Sequence, residues 1–490
     1  MIFSSPRFLI FLCVTLAVLA VPFGHAIKKR ILLVASCVFY AAWDYRYLAL
    51  LAAVSVIDYV SAARISRTEA PRARRAWLAA SIVSNLGILG YFKYYNFFVG
   101  NLNPVLALFD RSLPALAILL PAGISFYTFK SMSYTIDVYR REIPPCDSLL
   151  DYATFVTFFP ELIAGPIVRA SVFLPQMTRK IGPAVDRVAV GASLFLLGLT
   201  KKVVIADRVA VPVDHVFAHP SQFAGRMLWL AAIGYAIQIY CDFSGYSDMA
   251  IGTARMIGYD LPENFNMPYA AGNVAEFWRR WHITLSMWLR DYLYIPLGGN
   301  RKGTTRTYAN LMLTMLLGGL WHGASWNFVI WGGLHGAALA LHRFYRRLVG
   351  RDFRLPPGVG WIVTLTFTVL CWIPFRATHF ADTMAFLRGM FVRGQDGTTF
   401  PAGAIYLALA LVVPAHLIGL LLERNATGAR PALARTMRTA GTDLTTNPIS
   451  GWAVRFSTRT LLGSFLVPLW ILLLLLSAET HTRPFIYFQF

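Results

Sequence analysis

Residues 28–75 read KKRILLVASCVFYAAWDYRYLALLAAVSVIDYVSAARISRTEAPRARR. Basic clusters close both ends: Lys28-Lys29-Arg30 before, and Arg64, Arg67, Arg72, Arg74 and Arg75 after. About 30 mostly apolar residues lie between, enough for a helical hairpin that turns near Trp43-Asp44-Tyr45-Arg46. Both clusters then face one side of a membrane, and their lysine and arginine content marks that side as cytoplasmic. The N-terminus is accordingly expected on the opposite, outer side.

Composition extends this reading to the whole chain. Of 490 residues, 57% are hydrophobic and 14% charged, and the mean hydropathy is +0.54; soluble domains carry roughly a quarter charged residues. Phe8–Val21, Ala76–Val99, Ala189–Leu199, Leu228–Tyr240, Trp361–Ile373, Ala404–Leu422 and Leu461–Ser477 are apolar or nearly so. A helix needs about 20 such residues to cross a bilayer, so the shorter stretches predict broken or re-entrant helices. The net charge of +21 comes in short clusters between apolar runs, which suits a lipid bilayer and not nucleic acid. Met1–Ala26 resembles a secretory signal, but Lys28-Lys29-Arg30 follows the apolar core while only Arg7 precedes it, so it reads as a retained first span. The five cysteines show neither a disulfide framework nor zinc spacing, and no metal site is expected. Without repeats or a polar linker the expectation is one all-α, polytopic membrane domain, residues 1–490, of about a dozen helical segments, with late spans at 403–422 and 458–478. Lys201-Lys202, Arg301-Lys302, Arg343–Arg354 and the loop Glu423–Ser457 are expected at the cytoplasmic surface.

Between Arg306 and Arg343 the segment Thr307–Leu341 must leave the cytoplasm and return. Each limb has about 15 residues, about 22 Å of helix, against a hydrocarbon core of about 30 Å. The turn at Trp321-His322-Gly323-Ala324 should then leave His322 at membrane depth. Upstream, Trp278, Trp281, Leu285, Trp288 and Tyr292 recur at helical spacing beside Arg279, Arg280 and Arg290, which predicts one helix in or near the interface carrying His282. One histidine near the cytoplasmic surface and one deep would suit a site reached by a channel. In a low-dielectric cavity a neutral imidazole is the cheaper form, and it can take a proton from a hydroxyl attacking an activated acyl group. A structural histidine bonded to a backbone carbonyl at the helix break accounts for either position as well. Asp137, Glu161, Asp242, Asp248 and Glu263 are further polar residues in apolar surroundings, read as helix-holding groups or as functional ones. Phe158–Pro166 predicts a broken helix in which Glu161 bonds freed backbone groups, and Cys241–Asp248 is read alike, its serines lacking a partner histidine and acid. His335 and His342 read as packing and interface residues.

The ordered series Pro121-Ala122-Gly123-Ile124-Ser125-Phe126-Tyr127, Phe159-Pro160-Glu161-Leu162-Ile163-Ala164-Gly165-Pro166, Asp242-Phe243-Ser244-Gly245-Tyr246-Ser247-Asp248, Glu263-Asn264-Phe265-Asn266, Phe277-Trp278-Arg279-Arg280-Trp281-His282 and Trp321-His322-Gly323 resembles the membrane-bound O-acyltransferase family. It most resembles the bacterial, AlgI-like branch that serves alginate O-acetylation, from the first residues to about Arg376 and again at Phe485–Phe490. The resemblance implies helices around a central funnel, with the core at about residues 100–376, His322 at the base and His282 as the second site residue. It implies acetyl-CoA as the acyl-donor substrate, no permanently bound cofactor, and delivery of acetyl to an exported polysaccharide through a separate extracytoplasmic SGNH-type acetyltransferase. Transfer of D-alanyl to teichoic acids, or acetylation of peptidoglycan or cellulose, uses the same machinery. A transporter or flippase of a polymer precursor is the rival from another class. Coenzyme A carries phosphates that cannot enter hydrocarbon cheaply, so basic residues should ring its entrance, with Arg279, Arg280, Arg290 and Arg301-Lys302 nearest to the histidines in sequence; the positive-inside rule or anchoring to lipid headgroups accounts for any one of them as well.

Overall fold

The computed structural model describes residues 1–179, 181–350, 356–392, 397–438 and 485. The expected span at 458–478 and the chain ending at 486–490 lie outside the described residues. Among those described, the structure is helical, with one isolated bridge between Phe223 and Thr398 as its only β-type pairing.

The opening hairpin forms as the charge clusters require. Helices α1 (Pro6–Ala20), α2 (His25–Asp44) and α3 (Tyr47–Arg67) follow one another, and the α2–α3 turn falls at Tyr45-Arg46. Helix α1 starts where Ser5 accepts a hydrogen bond from the Phe8 amide and Pro6 takes the first turn, where its missing donor costs nothing. Helix α4 (Pro71–Leu89) returns against α3, and Asp58 of α3 ties the two by accepting from Ser81 Oγ and from Asn85 Nδ2 at 2.9–3.0 Å. A π turn at Gly90–Tyr94 joins α4 to α5 (Tyr95–Leu106).

After α6 (Ile124–Arg140) and α7 (Leu149–Thr157) the chain breaks at Phe158–Pro166, as its two prolines predict. The partner of the freed backbone differs from expectation. Lys130, on α6, donates from its buried ammonium to the Phe155 carbonyl and to Glu161, so Glu161 is the counter-charge and Lys130 the backbone cap.

Short α8 (Ala170–Phe173) leads to α9 (Val185–Thr200), which continues through a second π turn, Lys201–Ala206, into α10 (Asp207–Ala218); α11 (Gly225–Ile257) then runs for 33 residues. Lys201-Lys202 is therefore not in a surface loop but within a helical run: Lys202 pairs with Asp242 at 2.7 Å and Asp207 at 2.8 Å, and Lys201 with Asp248 at 2.6 Å. Those pairs also explain why Cys241–Asp248 lies inside an unbroken helix, against expectation: its acids meet lysines across the α9–α11 contact. That contact is backbone to backbone, since a Cβ on Gly245 would come within 2.7 Å of the Gly198 carbonyl oxygen.

The next segment departs most from its periodicity. The aromatic run is two helices, α12 (Val274–Arg280) and α13 (Ile283–Leu289), followed by a third π turn, Arg290–Tyr294. Trp278, Trp281, Trp288 and Tyr292 are buried in protein, with the Trp288 ring stacked on Phe129 at 3.7 Å. Helical spacing shows that a face is apolar, not what covers it; the cover here is protein, not the interface.

Helices α14 (Thr304–His322) and α15 (Trp326–Leu348) form the hairpin expected to turn at Trp321-His322-Gly323-Ala324; the turn itself is 323–325, so Trp321 and His322 end α14. Their limbs, 19 and 23 residues, are longer than the distance between the charge clusters, because both helices run on past Arg306 and Arg343. Helices α16 (Pro357–Arg376), α17 (Phe380–Phe391) and α18 (Gly403–Arg438) complete the described chain. The segment read as a loop from Glu423 continues α18 as helix to Arg438. Among the described residues, five helices or helical runs are long and apolar enough to cross a membrane: Tyr47–Arg67, Val185–Ala218, Gly225–Ile257, Gly358–Arg376 and Gly403–Leu421. The protein is an all-α, multi-pass membrane protein.

Candidate active site

The break between α12 and α13 occurs at His282, whose φ of +42° is the left-handed conformation that only a few per cent of non-glycine residues adopt. It turns the imidazole into the core, where the residue is 0% exposed and Phe243 meets the ring edge-on at 4.7 Å. His322 ends α14, is 3% exposed, and packs against Trp321, Trp331 and Phe375 at 5.0–5.3 Å. The two imidazole centroids are 6.4 Å apart. The expectation of one histidine near the surface and one deep is corrected: both are deep and they are neighbours, because the left-handed turn carries His282 off the helix surface.

Asn264 is the hub beside them. It is 1% exposed, and its Oδ1 lies 3.0 Å from His282 Nδ1, accepts from Thr284 Oγ1 at 2.9 Å and from the Thr284 amide at 3.3 Å. Its own carbonyl accepts from the Ile283 amide at 3.0 Å. A carbonyl oxygen facing Nδ1 fixes the tautomer with the proton on Nδ1, which leaves Nε2 with its lone pair. That buried Nε2 has no hydrogen-bond partner among the described residues. Asn264 stands in the Glu263-Asn264-Phe265-Asn266 motif, where the sequence assigns it no role; a polar amide within that motif is its only signal.

Two cavities lie at opposite ends of the α14–α15 hairpin. One, of about 400 Å³, reaches His322 and Trp321 and is walled by Trp43, Lys93 and the start of α6 at Gly123–Phe126. The other, of about 710 Å³, lies between the first turns of α14 and the last of α15, with Thr304, Tyr308, His342, Arg343, Arg346 and Arg347 in its wall. Arg347 bonds Thr304 Oγ1 there. Of the arginines expected at a donor entrance, Arg279 is exposed and within electrostatic reach of His342. Arg280 is bound to Glu276 and Glu423, each at 3.0 Å, and Arg290 to Asp291 at 2.6 Å. His335 packs between Trp278 and Trp331, and Trp278 Nε1 donates to its Nδ1 at 3.3 Å, as a packing residue should. Asp137 accepts from Tyr292 at 2.7 Å. No group of three or more histidine, cysteine or acidic residues able to hold a metal occurs among the described residues.

Residues 140–373 match a sequence model of the membrane-bound O-acyltransferase family, MBOAT. The chain is 46% identical over 397 residues to a protein of Pseudomonas aeruginosa named "probable alginate O-acetylase AlgI", covering 80% of this chain and 75% of the relative. It is 42% identical to the protein of that name from Pseudomonas putida along 100% of both chains. It is also 41% identical over 389 residues to a peptidoglycan O-acetyltransferase of Helicobacter pylori, covering 74% of this chain and 73% of the relative. With identity of this order along most of its length, the chain belongs to the membrane-bound O-acyltransferase family and is an acyltransferase.

Proposed function

We propose that the protein takes acetyl from cytoplasmic acetyl-CoA and passes it across the inner membrane for O-acetylation of an exported, alginate-like polysaccharide, completed by a separate extracytoplasmic acetyltransferase. The observation that carries the reading is the pair of buried imidazoles 6.4 Å apart, with a basic cavity at one end of the hairpin that bears His322 and a second cavity meeting His322 at the other. Positive-inside orientation puts the basic cavity on the cytoplasmic side, where Arg343, Arg346 and Arg347, with Arg279 within electrostatic reach of His342 in its wall, suit the phosphates of coenzyme A.

In the reaction a hydroxyl of the acceptor attacks the thioester carbon. His322 takes the hydroxyl proton as the new C–O bond forms; the C–S bond breaks, and the proton passes to the leaving thiolate to give an ester and free CoA. His282, its Nδ1 proton committed to Asn264, offers Nε2 as an acceptor for an amide N–H of the donor's pantetheine arm, which holds the thioester in line while the hydroxyl's one proton goes to His322. The identity to relatives named alginate O-acetylases supports alginate as the polymer; the Helicobacter pylori relative supports peptidoglycan as a second reading.

Proteoliposomes holding the protein, its partner and a polymer, given radiolabelled acetyl-CoA, test this. Labelled ester on the polymer with an equal amount of free CoA is expected, with alginate oligomers preferred to peptidoglycan fragments. Unchanged acetyl-CoA with partner and polymer present would overturn the enzyme reading in favour of a transporter, and preference for peptidoglycan would replace the polymer.

A further inference from the structure

The last carbonyls of a helix have no partners within it, and they carry the negative end of its dipole. Helix α14 ends on His322 and passes into Gly323 in extended conformation, so no turn closes back on its last carbonyls. Three consecutive carbonyls there are met from a distant part of the chain. Tyr94 OH donates to Leu320 O at 2.8 Å, and Lys93 Nζ donates to Trp321 O at 2.6 Å and to His322 O at 3.0 Å. The same Nζ lies 3.4 Å from Ser125 Oγ, at the start of α6. Both donors come from the π turn Gly90–Tyr94, whose extra residue aims neighbouring side chains in directions an α-helix would separate. Lys93 also lines the 400 Å³ cavity that reaches His322. This turn lies before residues 140–373, the stretch that the family's sequence model matches, and within the length aligned with the Pseudomonas putida relative.

We infer that Lys93 is a positioning residue for acetyl transfer, assisted by Tyr94: by holding the carbonyls of Trp321 and His322 it fixes where the His322 imidazole stands at the base of the cavity. The inference rests on His322 acting as the base. Lys93 Nζ is bound to the backbone carbonyls of Trp321 and His322, so its effect belongs in the rate of the bound complex and not in capture of acetyl-CoA at the far end of the hairpin. A misplacement of reacting groups by about 1 Å costs on the order of 100-fold.

The experiment compares Lys93→Met, Lys93→Arg, Lys93→Ala and Tyr94→Phe with His322→Ala in proteoliposomes with acetyl-CoA, partner and polymer, and records the melting temperature of each protein in detergent. Lys93→Met is expected to lower kcat roughly 10- to 100-fold while the acetyl-CoA KM changes less than about 2-fold. Lys93→Arg should recover most of the loss, and ethylammonium added to Lys93→Ala should recover part of it through the cavity. Tyr94→Phe should lose less, since one neutral hydrogen bond is removed. Wild-type kcat in folded Lys93→Met would overturn the inference. So would a loss that tracks a lowered melting temperature and that neither arginine nor the amine restores. Wild-type activity in His322→Ala would instead remove the base assignment itself, a separate failure.

Discussion

Asn264 Oδ1 is shared by His282 Nδ1 and by the amide and hydroxyl of Thr284. The Thr284 amide can only donate, so it identifies the oxygen end of the Asn264 side chain and with it the proton on His282 Nδ1. Asn264→Leu keeps the volume and removes the acceptor. It should lower kcat by roughly 10-fold or more, since one hydrogen bond contributes about 1 kcal/mol and a wrong tautomer removes the Nε2 lone pair as well. Leaving Thr284 and His282 unsatisfied should cost roughly 1–3 kcal/mol of stability. A folded variant with an unchanged rate and melting temperature would show that the hub holds nothing in place.

The neighbouring histidines should behave as a unit. His322→Ala is expected to lower acetyl transfer by about 10²–10⁴-fold with the protein still inserted and folded. His282→Ala should be comparable or milder, and the double variant no worse than His322→Ala alone, because groups acting in one step are not additive. Rate assays on the purified variants decide it; two independent losses that multiply would separate the residues.

At the donor end the prediction concerns KM. Neutralising Arg343 and Arg347 together, or Arg279 and Arg280 together, should raise the acetyl-CoA KM more at low than at high salt, with a smaller change in kcat. Arg290→Gln, and Arg280→Gln taken alone, should matter less, because Asp291 already binds the one and Glu276 and Glu423 the other. A fall in kcat at constant KM would place the donor elsewhere.

Lys130 and Glu161 form an ion pair with side chains 5% and 1% exposed. Lys130→Met alone leaves a buried carboxylate unpaired and should destabilise by roughly 3–5 kcal/mol, whereas Lys130→Met with Glu161→Leu should recover much of that. Melting in detergent reads both. Equal losses in the single and the double variant would mean that the Phe155 carbonyl, not the charge, is what Lys130 serves.

Sidedness follows from the basic clusters. Cysteine introduced at Arg72 should resist an impermeant reagent added outside intact cells, and cysteine at the exposed Tyr45 should react with it. The opposite pattern would invert the orientation.

What could be read from the sequence was local. The α2–α3 and α14–α15 turns follow from basic clusters and a Trp-His-Gly corner, and the break at Phe158–Pro166 follows from its prolines. What could not be read depended on distant partners or on an uncommon backbone. Nothing around His282 signals a left-handed residue, since no glycine or proline stands there, so the aromatic run reads as one helix. The acids of Asp242–Asp248 look like a helix break until Lys201 and Lys202 stand opposite them. Lys93 lies unmarked inside the apolar stretch Ala76–Val99, because its partners are carbonyls of residues 321 and 322, and carbonyls leave no trace in a sequence.

The π turn at Gly90–Tyr94 inserts one residue where the chain would otherwise continue as regular helix, and one residue is about 100° of rotation. Helices α4 and α5 are thus out of phase: α4 presents its polar row to Asp58, while α5 is free to offer Asn101 to the Trp326 indole at 2.8 Å. Deleting a single residue here would leave composition and hydropathy almost untouched, yet it would swing Asn101 and everything beyond it around the axis. The segment is therefore intolerant of length change in a way that no substitution scan would reveal.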